Sequence, residues 1–86
     1  MIKVRLFAAL RELAGASEVE AEGRTAGEVA DVLSTRFGER FGQIAAVGSL
    51  VVNGERADRI TAVADGDEVA LLPPVSGGAL TRNAPV

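Results

Sequence analysis

The chain is organised around the stretch Leu71-Leu72-Pro73-Pro74-Val75-Ser76-Gly77-Gly78, in which a strand turns into a narrow arm. Proline fixes φ and lacks an N–H, so Pro73 and Pro74 end the strand, and Pro73 is held extended because a proline follows it. The two glycines have no Cβ and keep the arm thin. At the polyproline rise of about 3.1 Å per residue, Pro74 to Gly78 would reach roughly 15 Å. We expect this arm to enter another protein's active site; the alternative is an ordinary chain end of small residues.

Composition limits the chain to one small domain of 86 residues. Only three of its hydrophobic residues are aromatic, so the predicted core is aliphatic. The net charge of −3 and the scattered Lys and Arg residues argue against nucleic acid as a partner. No apolar run is long enough for a transmembrane helix, and Met1 to Arg5 alternates charged with apolar residues, unlike a signal peptide. A cytoplasmic protein with no membrane partner is therefore expected.

Missing residue types exclude most catalytic chemistry. The chain has no Cys and no His, hence no disulfide, no thiol nucleophile, no ordinary zinc site and no imidazole acid–base. The acidic run Asp65, Asp67 and Glu68 is too short for a calcium loop and is interpreted as turn chemistry. We expect no metal, no bound cofactor and no enzymatic activity from the chain alone, and so a carrier, a subunit or a binding module.

Hydrophobic periodicity predicts two strands at the N-terminus. Residues 2–8 alternate, with Ile2, Val4, Leu6 and Ala8 facing the core and Phe7 on the opposite face. Residues 9–14 form a short helical turn closed by a glycine. Residues 17–22 alternate again, and their glutamates indicate a strand near a sheet edge.

The second half of the chain predicts one main helix and two more strands. Thr25 and Glu28 match a capping box before an amphipathic helix that a glycine at 38 ends, and a short second helical turn follows around residues 41–44. A strand at 50–52 leads through a tight Asn-Gly turn into an exposed return at 55–59. The last strand, 69–72, is apolar on both faces and is predicted to lie centrally, parallel to the first.

This order predicts an α+β fold, a mixed four- to five-stranded sheet with one main helix packed on one face. Phe7 and either Ala70 or Leu72 would then lie on the outer face as a small apolar patch fringed by Arg5 and Arg11. Such patches mark partner surfaces. The alternative is an ordinary half-apolar sheet face.

Both ends of the chain resemble a known family. The start, from Met1 to Ala8 and from Leu10 to Gly15, and the end, from Asp65 to Gly78, are similar to the MoaD/ThiS family of ubiquitin-like sulfur carriers. The similarity is greatest to its small subunits of molybdopterin synthase and covers residues 1–78. It implies the β-grasp, or ubiquitin-like, fold.

The resemblance also implies a mechanism and its partners. A MoeB-type adenylating enzyme would use ATP to activate the carboxylate of Gly78, and sulfur transfer would give a thiocarboxylate. The arm, kept thin by Gly77, would insert into a MoaE-type large subunit in a heterotetramer and pass sulfur to cyclic pyranopterin monophosphate. The family often has aromatic residues at the two leucine positions. The positions implied to contact partners are Phe7, Arg11, Leu71, Leu72, Pro73, Pro74 and Val75.

The sequence departs from the family pattern at its end, because Ala79 to Val86 follow Gly78. A peptide-bonded glycine has no free carboxylate, so we expect a protease to remove residues 79–86. The expected organisation is a β-grasp domain with its arm at 1–76, the diglycine at 77–78 and the removable extension at 79–86. There are two alternatives to processing. Residues 79–86 are a cloning remnant, or the protein is a plain binding domain that no longer carries sulfur.

The pathway also stays open at this point. The Pro-Pro-Val-x-Gly-Gly arm favours molybdopterin over thiamine. Sulfur carriers for thiamine, cysteine or a secondary metabolite, and a β-grasp interaction module, are the other possibilities.

Overall fold

Five strands and three helices build residues 1–74, the part of the chain that this computed structural model describes. The predictions for Val75, Gly77, Gly78 and the extension 79–86 lie outside these residues. In chain order the elements are β1 (Ile2–Leu6), α1 (Ala8–Ala14), β2 (Glu18–Ala21), α2 (Ala26–Phe37), α3 (Glu39–Val47), β3 (Ser49–Val52), β4 (Glu55–Ala57) and β5 (Glu68–Leu72).

The strands form one mixed sheet in the order β2-β1-β5-β3-β4. The first and last strands are parallel neighbours in its centre, with Val4 opposite Val69. The remaining pairs are antiparallel, and β2 lies at an edge. The predicted α+β architecture, the central last strand and the edge position of the second strand are confirmed.

All three helices contribute to one core on one face of the sheet. Side chains alternate along a strand, so Ile2, Val4 and Leu6 of β1 are buried while the residues between them are exposed. Val69 and Leu71 of β5 join the same core. The opposite face of the sheet carries no helix among the described residues and is called the outer face below.

The capping box starts α2 as predicted. Thr25 Oγ1 accepts a hydrogen bond from the Glu28 N–H at 3.2 Å. The Glu28 carboxylate accepts a hydrogen bond from the N–H of Arg24 at 2.9 Å. In a standard capping box it would accept from the N–H of the cap residue, Thr25, which is the next residue along the chain. Gly38 ends the helix at a φ of 104°, as predicted.

No helix within residues 1–74 has the length and apolar character needed to cross a bilayer.

Two local predictions were wrong. Ala8 does not face the core at the end of a strand; it is exposed, has a φ of 51° and is the first residue of α1. The predicted short second helical turn is the nine-residue helix α3. This helix is stabilised by burial of Phe41, whose ring centroid lies 5.3 Å from that of Phe37 on α2.

Candidate functional site

The C-terminal arm leaves the sheet from the end of its central strand. We call Leu72, Pro73 and Pro74 the arm root. Because β1 and β5 are parallel and Leu6 lies opposite Leu71, β1 ends at the same edge. On the other side of β5, Ser49 lies opposite Leu72. The arm root therefore emerges between the start of α1 and the corner that joins α3 to β3.

Phe7 is held beside the arm root by the way α1 begins. Its backbone is extended, at φ −129° and ψ 150°, and its carbonyl accepts from the N–H groups of Leu10 (3.1 Å) and Arg11 (3.4 Å). The next residue, Ala8, has a left-handed φ of 51°, which costs a non-glycine residue roughly 1–2 kcal/mol. Complete burial of Leu10 holds this turn in place. The Phe7 side chain is 38% exposed, so it is available to a partner.

Arg11 lies on α1, four residues after Phe7. Its backbone N–H donates to the Phe7 carbonyl at 3.4 Å, which keeps the two residues close in space. The Arg11 side chain is exposed, and it has no ion-pair partner within residues 1–74. The two residues implied to contact partners at the N-terminal end are thus placed together.

The structure corrects one of the two leucine assignments. Leu71 is 1% exposed and belongs to the core, so its side chain is not available to a partner. Leu72 is half-buried and points to the outer face, because neighbouring residues of a strand face opposite sides. Pro73 is half-buried and Pro74 is exposed.

The outer face combines an apolar centre with charged surroundings. Strand register places Glu18, Arg5, Ala70, Val51 and Arg56 in one row across the sheet. Both residues named as candidates for the patch, Ala70 and Leu72, lie on this face. Its ion pairs are exposed and loose, with N–O distances of 3.7 Å for Arg5 with Glu68 and 4.0 Å for Lys3 with Glu18. Exposed pairs of this kind contribute little, so a partner can exchange them at small cost.

Sequence reasoning missed two contributors to this row, Val51 and Arg56. The signal was present, because a two-residue Asn-Gly turn fixes the register of the strands that it joins. Asn53 and Gly54 have φ values of 50° and 84°, typical of a type I′ turn. Counting outward from such a turn places Val51 opposite Arg56, as observed.

The acidic turn that contains Asp65 and Asp67 lies at the opposite end of the sheet, and both carboxylates accept hydrogen bonds from groups of this chain. The Met1 ammonium donates to Asp65 Oδ1 at 2.7 Å, which raises the pKa of the amine. The Asn53 amide (3.1 Å) and then the Ala64 N–H (2.9 Å) donate to Asp67 and lower the pKa of its carboxyl. An open polar cleft of about 570 Å³ between Met1 and Glu28 lies at this same end, far from the arm root.

Comparisons with known proteins agree with the fold. The profile of the ThiS family matches residues 4–78. Small archaeal modifier protein 1 of Haloferax volcanii is 39% identical over 85 residues, covering 86% of this chain and 97% of the relative.

Three solved structures show the range of similar proteins. Small archaeal modifier protein 1 of Methanosarcina acetivorans superposes with a TM-score of 0.79 at 30% identity, covering 90% of this chain and 95% of that one. A putative molybdopterin converting factor subunit 1 of Pyrococcus furiosus gives 0.74 at 30% identity, covering 86% and 97%. The complex of subunits 1 and 2 of the molybdopterin-converting factor of Helicobacter pylori gives 0.56 at 25% identity, covering 90% and 97%.

Proposed function

Because this chain belongs to the ThiS family of small ubiquitin-like carriers and modifiers, we propose that it is a sulfur carrier for molybdopterin synthesis. In this proposal Gly78 carries a thiocarboxylate after residues 79–86 have been removed. The large subunit of a molybdopterin synthase receives the arm, and sulfur passes there to cyclic pyranopterin monophosphate. The chain acts as the small subunit and sulfur donor and does not catalyse the transfer.

The chemistry of a carboxylate determines which steps the partner enzyme would perform and what this chain would supply. A carboxylate is a poor acyl donor, so an adenylating enzyme of the MoeB type would convert it with ATP to an acyl-adenylate. Sulfur would then displace AMP. Every acid, base and metal needed for these steps belongs to the partner. The chain, which has no His and no Cys, supplies a terminal atom and a surface that partners recognise.

The observation that carries the proposal is the position of the arm root. It leaves the central strand at the edge where β1 ends and α1 begins, so the arm root and the exposed Phe7 share one end of the sheet. The match to the ThiS family also stops at Gly78, which supports Gly78 as the working terminus. Two of the similar structures are described as molybdopterin converting factor subunits, and one of them is a complex with subunit 2.

Processing is part of the proposal. Ala79 follows Gly78, so adenylation at that glycine requires cleavage of the bond between them. Intact mass spectrometry of the protein from its native host tests this step. The expected species ends at Gly78, with a fraction in which sulfur has replaced one oxygen. A single species that retains Ala79 to Val86 would contradict it.

A second candidate function is protein modification. The relative at 39% identity and the structure with a TM-score of 0.79 are both described as small archaeal modifier proteins. The same activated glycine would then form an amide with an amine of a target protein. This alternative uses the same arm and the same activation step, and it differs only in the acceptor.

A reconstituted assay separates the two functions. The chain ending at Gly78 is incubated with a MoeB-type enzyme, ATP and a sulfide source, and then with a MoaE-type subunit and cyclic pyranopterin monophosphate. We expect a thiocarboxylate and then molybdopterin, with the 86-residue chain inactive in both steps. Thiocarboxylate without molybdopterin, together with amide adducts on proteins of the native host, would refute the molybdopterin assignment in favour of protein modification.

A further inference from the structure

The corner between α3 and β3 touches the backbone of the arm root. Gly48 follows the last residue of α3, and its N–H donates to the carbonyl of Ala45 at 3.2 Å. The next residue, Ser49, lies opposite Leu72 in the β3–β5 pair. Gly48 is therefore fixed on one side by a helix end and on the other by the sheet.

Gly48 leaves no room for a side chain. A Cβ on this residue would overlap the carbonyl oxygen of Leu72 and lie 3.0 Å from its carbonyl carbon and 3.2 Å from the Cα of Pro73. The backbone itself, at φ −90° and ψ −159°, is extended and open to any L-residue. Space beside the arm root, and not an unusual φ, is what requires glycine here.

We propose that Gly48 is a positioning residue that sets the direction in which the arm leaves the sheet. This inference rests on the proposed function, because the direction of the arm matters only if a partner receives it. A methyl group at position 48 meets backbone atoms, which cannot rotate away as a side chain can. Gly48 is held by a helix end and by the sheet, whereas β5 ends at Leu72 and its ladder does not continue into Pro73 and Pro74, so the arm root is the part that moves.

The arm root passes this movement outward instead of absorbing it. The φ of Pro73 is fixed by its ring, and Leu72 and Pro73 are both restricted to extended conformations because a proline follows each of them. Over the roughly 15 Å that the sequence predicts for the arm, a tilt of about 10° moves its end by roughly 2.6 Å. Misplacement of a reacting group by about 1 Å can cost a hundredfold in rate.

The test compares Gly48→Ala with Gly27→Ala. Gly27 lies at the start of α2, away from the arm root, and a Cβ there would also meet backbone, 2.9 Å from the carbonyl oxygen of Arg59. Both variants are made in the chain that ends at Gly78. With the large synthase subunit varied in concentration, we expect Gly48→Ala to lower kcat for sulfur transfer by about tenfold or more. Its KM for the large subunit stays within about twofold, because Phe7, Arg11 and the row of residues across the outer face lie outside the arm root.

A purely structural effect predicts a different result. If Gly48 only supports stability, Gly48→Ala and Gly27→Ala lower activity in proportion to their loss of stability, and the inference is overturned. Wild-type kcat in Gly48→Ala overturns it as well. The double variant Gly48→Ala with Pro73→Gly relaxes the arm root, so we expect its Leu72 amide signals to match those of Pro73→Gly alone. If Gly48→Ala alone does not fold, a folded double variant supports the inference and an unfolded one refutes it.

A second readout does not depend on sulfur transfer. Backbone amide chemical shifts and hydrogen exchange at Ser49 and Leu72 report the position of the arm root directly. We expect both to change in Gly48→Ala and to stay at wild-type values in Gly27→Ala. If the wild-type chain carries no sulfur, the proposed function fails while this measurement still decides the inference: unchanged signals at Leu72 refute it.

Discussion

The two neighbouring leucines of β5 should respond to truncation in different ways. Leu71 is 1% exposed, and replacing a buried leucine with alanine removes both its transfer free energy and its packing, at a cost of about 2–5 kcal/mol. An 86-residue domain has a total stability of about 4–13 kcal/mol, at roughly 0.05–0.15 kcal/mol per residue. Leu71→Ala therefore removes a large share of it and lowers Tm by about 8 °C or more.

Leu72 is half-buried on the outer face, so Leu72→Ala loses only part of the transfer term and creates no internal cavity. We expect a cost of about 1 kcal/mol. Because Leu72 belongs to the arm root, its truncation should lower sulfur transfer to the large synthase subunit, whereas folded Leu71→Ala should keep the wild-type rate at low temperature.

Urea unfolding followed by far-ultraviolet circular dichroism measures the difference between the two variants. An unchanged m-value would show that both unfold from the same native state. Equal losses of stability, or a larger loss for Leu72→Ala, would refute the reasoning. A register slip of one residue in β5 exchanges its two faces, so a larger loss for Leu72→Ala would mean that Leu72, and not Leu71, faces the core.

Three further predictions concern elements away from the arm. Thr25→Ala should lower the unfolding free energy by about 1 kcal/mol through loss of the α2 cap, while the exposed mid-helix control Thr35→Ala should leave it unchanged or slightly higher; equal effects would contradict the cap. Gly54→Ala should cost about 1 kcal/mol or more in urea unfolding, because the turn requires a φ of 84°; a neutral result would argue against a type I′ turn. The pKa of Asp67 is lowered mainly by the Asn53 amide, so its stabilisation is present above the ordinary value of 3.8 and is lost at lower pH. The stability difference between wild type and Asp67→Asn should therefore narrow in acid, and a constant difference would contradict this assignment.

Sequence patterns predicted the sheet well because its strands show regular patterns of apolar residues. Alternation in β1 identified the buried face, and the apolar character of β5 on both sides identified its central position. The alternation failed at Ala8, where the chain takes a left-handed φ of 51°. No pattern indicates such a conformation for alanine, because tertiary packing of the buried Leu10 imposes it.

The length of α3 and the roles of the two leucines also depend on tertiary packing, which the sequence patterns did not predict. Two apolar residues, Phe41 and Ile44, predict only a turn, while contact with α2 extends it to Val47. Intrinsic propensity is too weak to predict that extension. Alternation placed Leu72 on the outer face, but the family resemblance assigned partner contacts to both leucines, and the burial of Leu71 removes one of the two. The need for glycine at position 48 could not be predicted from the sequence, because it arises from contact with Leu72 and Pro73, which are far away along the chain.

The central place of β5 also makes formation of the sheet depend on synthesis of this strand. Every contact of this strand with β1 joins residues from opposite ends of the sequence, for example Lys3 with Glu68. Such long-range pairing forms late in folding. In the folded sheet β5 alone joins the pair β2–β1 to the pair β3–β4, so we expect a nascent chain without β5 to leave these two pairs separate and the core between them uncovered. Only a chain that already includes β5 can close that gap, so a product truncated before β5 lacks the arm root and instead exposes apolar strands to chaperones and proteases.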